Sequence, residues 1–427
     1  MTYSEAVDYI LGIPRFTKKN DVKHTKSFLK YLGDPQRGHK VIHVAGTNGK
    51  GSVCAYLDSM LRSEGKRTGL FISPHLMKIN ERIRTDGVPV SDEAFLLAFL
   101  RVRDAVRKME RAGFSHPTFF EFLLGMAMCV FQKEETEYVI LETGLGGKLD
   151  ATSAVEPPAV CVITSIGYDH MQYLGNTLEE IAGEKAGIIR PKVPVFYAAS
   201  CPESDRVIES TAEENDCFCK KIGKDAYEIL GIKNKHIAFS CASDYYGNTT
   251  WKLNNTGIYQ PGNAMLAMEV MRYLMGEKAH PAAWHKALSD LKWEGRMEEV
   301  LPGVYVDGAH NISAVEGFVK SIPADKEGNI IIFSAVKDKA YEEMAAVLCE
   351  RSGASLYVVT HIGGDRGLDA EGLGKIFRKY TKQPVVVKES VNEALAFALE
   401  QRQGRNIYCL GSLYLTGMVK KWIQEVG

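Results

Sequence analysis

One segment near the start of the chain constrains the fold most. An apolar run at residues 41–45 leads through Gly46-Thr47-Asn48-Gly49-Lys50-Gly51-Ser52 into a stretch, 52–64, whose apolar residues Val53, Tyr56, Leu57, Met60 and Leu61 recur at helical spacing. Gly65 then stands where a helix C-terminal cap belongs. Strand, glycine-rich turn and helix in that order aim backbone N–H groups and the positive end of a helix dipole at one point, which makes an anion cradle. Lys50 supplies the balancing charge, and the Ser52 hydroxyl is placed for a phosphate or a magnesium ion. Because Gly51 separates Lys50 from Ser52, the spacing departs from the standard phosphate loop. A tight turn that happens to contain lysine is the bland alternative; the strand-to-helix context favours nucleotide binding.

The same rhythm recurs. Residues 68–73, 138–143 and 159–166 are further strand-like runs ending in small or acidic residues, which predicts an α/β fold with a mostly parallel sheet covered by helices. Residues 200–259 are more polar and read as a subsidiary sheet or excursion, and 262–275 as a helix. Trp293, Gly295 and Pro302 mark a linker, so the boundary is placed near Glu294. Beyond it, strand candidates at 304–307, 329–334, 355–360, 384–388 and 406–410 alternate with helical segments such as 340–349 and 391–401. The expected architecture is a P-loop-type doubly wound domain, 1–293, followed by a smaller Rossmann-like α/β domain, 294–427.

A length of 427 residues with a formal net charge of −1 suits two globular domains and gives no sign of a nucleic-acid groove or a polybasic membrane surface. The first sixteen residues lack the pattern of a secretion signal, and the longest apolar stretch, 122–131, is too short to span a bilayer, so a cytoplasmic protein without membrane contact is expected. Nine cysteines, an odd number, with Cys161 and Cys409 inside strand-like runs, argue for reduced thiols. Cys217 and Cys219 lack a second ligand pair at zinc spacing.

Glu142, ahead of Gly144, Gly146, Gly147 and Asp150, ends a strand and would emerge beside the phosphate loop, where it either holds magnesium or is simply a solvated acid. Ser73 and His170 follow other strands, and all three positions could meet on one sheet edge. Lys185 closes a helical pattern and, on residue type alone, reads as a solvated C-terminal charge. Asp307-Gly308-Ala309-His310-Asn311 places an acid and an imidazole at the ligand edge of the second sheet.

Taken together, these motifs resemble the folylpolyglutamate synthase and dihydrofolate synthase family of the Mur ligase superfamily. The resemblance also runs through Ser73-Pro74-His75-Leu76, Glu81-Arg82-Ile83, Glu184 to Ile189, Gln260 with Asn263, Gly295-Arg296 and Gly411-Ser412-Leu413-Tyr414. It implies that Gly46, Thr47, Asn48, Gly49, Lys50, Gly51 and Ser52, with Asn263, Arg296 and Asp307, hold ATP, and that Ser73, Glu142 and His170 ligate Mg2+. It also implies that Lys185 is carbamylated, which reverses the bland reading, and that a pterin lies against Arg82, Thr118, Phe119, Phe120, Glu121, Leu149, Asp150 and Ala151. The expected enzyme is an ATP-dependent ligase, acting as a monomer, that joins L-glutamate to folate through an acyl phosphate, with dihydropteroate as a further or alternative acceptor and with Lys50, Lys185 and His310 in catalysis.

Two other classes compete. A cell-wall ligase of the same superfamily should carry a UDP-sugar domain ahead of the loop, for which the roughly forty preceding residues are too few. A non-catalytic nucleotide switch predicts ATP binding without glutamate-dependent turnover. A dinucleotide dehydrogenase is disfavoured because no Gly-x-Gly-x-x-Gly follows the first strand of the second domain.

Overall fold

The computed structural model describes residues 1–14, 20–247, 249–323, 328–364 and 367–426. Its centre is an eight-stranded sheet in the order Val88–Pro89, Ile83–Thr85, Thr68–Phe71, Tyr138–Glu142, Lys40–Ala45, Val160–Ile163, Val195–Ala198, Cys219–Ile222. Only the first two of these strands run antiparallel to their neighbours. The central strands are apolar almost throughout because helices cover both faces, and the buried His43 is accommodated by its bond to Thr152 Oγ1 at 2.8 Å. In register, Val44 lies opposite Glu142 and Phe71 opposite Leu141, which brings the strand ends onto one edge.

Each face has its own core. Helices Asp92–Arg111 and Phe119–Lys133 pack on one side around Phe71, Phe95, Phe99 and Phe122. Helices Lys50–Ser63 and Gln260–Met275 pack on the other, around Leu57, Met60, Met268 and Trp284. Each such side chain taken fully out of water contributes about 1.5–3 kcal/mol before conformational entropy is charged against it. Helix Lys50–Ser63 starts two residues earlier than the apolar spacing suggests, so Lys50 belongs to its first turn.

Residues 200–259 correct the expectation in part. A three-stranded antiparallel sheet is present (Tyr227–Lys233, His236–Cys241, Trp251–Leu253), but helix Pro202–Glu214 and strand Cys219–Ile222 come before it and extend the large sheet. At the sheet margin the strand is only partly covered, so it tolerates Lys220 and Lys221, and that polarity hides it from a pattern reading.

The second sheet has six strands, ordered Glu298–Leu301, Val304–Val306, Ile407–Leu410, Asn329–Phe333, Ala354–Thr360, Val385–Lys388, and only the first is antiparallel to its neighbour. Trp293 packs against the core of the large sheet, whereas Met297 is buried in that of the small one. Among the described residues, no helix is long and apolar enough to cross a membrane.

Candidate active site

Two glycines shape the loop at 46–52. Gly46 and Gly49 have φ of 145° and 89°, in the left-handed region that side chains disfavour. A Cβ on Gly46 would lie 1.9 Å from Thr164 Oγ1, and one on Gly49 2.4 Å from Asn263 Oδ1. Gly46→Ala is therefore expected to destabilise the fold by about 3 kcal/mol, through strain and overlap together. The urea midpoint measures this, and a shift worth under about 1 kcal/mol would show that the loop relaxes around a methyl group.

The helix after the loop makes its first bond from Val53 N to Gly49 O, so the N–H groups of residues 50–52 are free of intrahelical partners. Lys50 Nζ donates to the carbonyls of Gly46 and Thr47, each at 3.1 Å. Lys185 Nζ donates to the same Gly46 carbonyl at 2.8 Å. Lys185 is buried, not solvated, because helix Leu178–Ala186 tucks its last turn beneath the loop. Burial first, and the charge of Lys50 second, push its amine down to about 7.

Glu142 ends strand Tyr138–Glu142 and is buried, and its Oε2 accepts from Ser73 N at 3.0 Å. Burial raises its carboxyl above the ordinary value, with Lys50, the Ser73 bond, Arg296 and Arg82 opposing. His170, at φ 51°, caps helix Met171–Leu174, and burial pushes its imidazole down to about 4, which leaves it neutral and able to donate a lone pair. Among the described residues, no three His, Cys, Asp or Glu side chains converge at metal-binding spacing. Ser73 and Glu142 offer oxygens of the kind magnesium takes, with waters and phosphate oxygens completing its shell, and the expected third ligand, His170, lines the same cleft with a nitrogen.

The second domain closes the site. Asp307 Oδ2 accepts from Tyr259 OH and Met297 N, both at 2.8 Å, while Oδ1 accepts from Ala309 N at 2.8 Å. Asn48 and Asn311 exchange amide hydrogen bonds at 3.1 and 2.9 Å across the domain junction. Asp169 forms an ion pair with Lys339, accepts from Asn311 Nδ2 at 3.1 Å and faces His310 Nε2 at 3.4 Å. Burial alone would raise the Asp169 carboxyl, but its bond to His310 and the charges of His310 and Lys339 hold it well below the usual range. The sequence reading missed Lys339 and the clamping role of Asp169. The available signal for Lys339 was its position just after the C-terminal end of strand Asn329–Phe333.

The loop at 46–52, Ser73, Glu142, His170, Lys185, Asn263, Arg296, Asp307 and His310 all line one cleft of about 500 Å³. The expected pterin residues lie outside it. Thr118 and Glu121 form the capping box of helix Phe119–Lys133, and Glu121 also accepts from Asn20 at 2.8 Å and Thr25 at 2.6 Å. Asp150 accepts from Gly144 N and Leu145 N, each at 2.9 Å, just ahead of Ala151. Arg82 donates to His75 at 2.9 Å and lies over the Phe119 ring, the Phe120 ring packs against Gly144, and Leu149 is exposed. Phe120 and Asp150 thus meet the segment that follows Glu142, while Thr118 and Glu121 are committed to the helix cap, Asn20 and Thr25.

Comparison with known proteins decides the family. Residues 44–271 match the Mur ligase middle domain, and 295–413 match the Mur ligase glutamate ligase domain. The chain is 37% identical over 354 residues to dihydrofolate synthase/folylpolyglutamate synthase of Bacillus subtilis (strain 168), covering 80% of this chain and 81% of that one. It belongs to the folylpolyglutamate and dihydrofolate synthase family of Mur ligases. The solved Mycobacterium tuberculosis folylpolyglutamate synthase complexed with ADP superposes with a TM-score of 0.89 at 25% identity, covering 99% of this chain and 98% of that one. E. coli FolC in complex with DHPP and ADP gives 0.85 at 27%, covering 100% and 98%. The protein is an ATP-dependent ligase of the folate-synthase type, with ATP as co-substrate.

Proposed function

We propose that this ligase extends a reduced folate by joining L-glutamate to its γ-carboxylate, with dihydropteroate as a second acceptor. The convergence of the phosphate loop, Glu142 and Lys185 from one sheet with Arg296, Asp307 and His310 from the other on a single cleft carries this reading. A carboxylate is a poor acyl donor, so it first attacks the γ-phosphorus of ATP; ADP leaves and an acyl phosphate forms. Lys50 and the amides of residues 50–52 stabilise the charge that develops there. Magnesium, held by Ser73, Glu142 and His170, would neutralise the transferring phosphoryl group. The neutral amine of glutamate then attacks the acyl carbon, phosphate leaves, and the nitrogen gives up its proton. In this reading Asn263, Arg296 and Asp307 position the nucleotide, His310 orients the reactants from the second domain, and the group around Arg82, Phe120 and Asp150 receives the pterin.

Lys185 is assigned as a carbamate. Its buried amine, about half neutral near pH 7, can add CO2 and release a proton, turning a cation into an acid that supports the metal ligands. Protein equilibrated with 13C-bicarbonate should show a carbamate signal that grows as pH rises from about 6 to 8 and is missing in Lys185→Ala. No signal at any pH would remove this assignment. Nine free thiols accord with action in the cytoplasm, and a cleft completed within one chain accords with a monomer divided at 1–293 and 294–427.

Glutamate-dependent ADP release tests the whole reading. Turnover with both tetrahydrofolate and dihydropteroate is the expected result. Turnover with dihydropteroate alone would make the enzyme a dihydrofolate synthase, and silence with both would overturn the reading.

A further inference from the structure

Beside the main cleft lies a smaller hollow of about 40 Å³, with room for a carboxylate group, and the two share Gly51, Ser73, Pro74, Glu142, Arg296 and Leu413. Its outer wall is Glu81, Arg84, Trp293 and Glu294. We infer that this hollow is a subsite for the α-carboxylate of the glutamate a folate already carries, read by the Arg84 guanidinium. The inference rests on the folate-extending reading above.

Three carboxylates, Glu81, Glu142 and Glu294, and two guanidinium groups, Arg84 and Arg296, line the hollow, and each carboxylate has a partner of its own. Glu81 is consumed by the amides of Leu76, Met77 and Lys78, at 2.7, 2.9 and 2.6 Å. Glu294 is paired with Lys420 at 2.8 Å. Glu142 accepts from Ser73 N and faces the nucleotide loop. Arg296 donates Nη1 to the Gly295 carbonyl at 2.8 Å. Arg84 is held more loosely, with Glu294, Glu81 and Asp58 acting on its charge through space. Its Nε makes a long contact of 3.4 Å to the Glu81 carbonyl, and its guanidinium lies 5.2 Å from the centre of the Trp293 ring, which holds the plane in place without using its N–H groups. A planar fork of donors held against an indole at the edge of the cleft matches carboxylate geometry.

Substrate chemistry supplies the other half. In a pteroylglutamate, the carboxyl that must reach the phosphoryl group and the α-carboxylate are separated by three carbons, about 5 Å when extended. With the γ-carboxyl beside Glu142, which lines both hollows, an α-carboxylate about 5 Å away would enter the smaller one, which Arg84 lines. Dihydropteroate has no such group, because its only carboxylate is the one that reacts. Arg84 would therefore separate the two acceptors.

The test compares equilibrium binding of folate and of pteroate, which lacks the glutamate, to the full chain in the presence of a non-hydrolysable ATP analogue and magnesium. The native enzyme should hold folate at least about tenfold more tightly than pteroate, the scale of one charge-assisted pair. Arg84→Gln should erase that preference while pteroate and nucleotide affinities stay within about twofold, and Arg84→Lys should restore part of it. An unchanged folate-to-pteroate ratio in Arg84→Gln, an equal weakening of both ligands, or a native enzyme without preference would overturn the subsite. Failure of the native chain to bind either ligand would instead overturn the folate reading on which it rests.

Discussion

Replacing Lys50 by alanine is expected to lower glutamate-dependent ADP release by roughly a thousandfold, about 4 kcal/mol of transition-state stabilisation, with the fold unharmed. The amine sits at the mouth of the loop on two carbonyl oxygens, and the buried Glu142, which loses the charge of Lys50, keeps the Ser73 N–H bond and the charges of Arg296 and Arg82. Charge aimed at the phosphoryl group should depress kcat more than it raises the KM for ATP, because the surrounding amides and the second domain still grip the nucleotide. The urea midpoint should move by less than about 1 kcal/mol. A variant with native rates would remove the loop from the chemistry. The variant carries a second consequence: Lys50 is one of the two main causes of the lowered Lys185 amine, so that amine should titrate higher without it.

Lys185→Ala should reduce turnover by at least about a hundredfold, with partial recovery in millimolar acetate or propionate, which would supply the missing carboxylate to the vacated pocket. Loss without rescue would leave a structural amine as the better account. A stability measurement separates the two. The folded-state pKa of the unmodified amine lies below its ordinary value, so between about pH 7 and 10 the unfolded chain binds more protons than the folded one. Stability should therefore rise with pH across that window, by up to about 1.4 kcal/mol per unit in CO2-free buffer, and the cost of burying the cation should be fully present below it. The slope belongs to this one group only if Lys185→Ala loses it. A common slope in both proteins would place its origin elsewhere.

Much of the large domain was legible because its signals are local. Residues 41–65 carry their own strand, turn and cap, and the strands at 138–142 and 160–163 are apolar runs of the right length bounded by small residues. The helix at 202–214 and the strand at 219–222 escaped because they lie at the margin of the sheet, where partial burial permits charge. Lys185 shows the limit for single side chains. A lysine at a helix end carries no mark of its depth, and only the packing of that helix under the loop turns it into a buried amine. Likewise, Asp169 and Lys339 are 170 positions apart, and their pairing exists only because the two sheets face each other.

By itself, then, the sequence determined the strand-loop-helix cradle, the alternation that forces parallel sheets, and the strand-end residues Glu142 and Asp307, because each depends on near neighbours whose spacing is written in order. The tertiary structure decided which of these meet. It set Lys185 against the Gly46 carbonyl, Asp169 against Lys339, and Arg84 on Trp293, because burial and long-range approach depend on how whole layers pack and no local pattern records them.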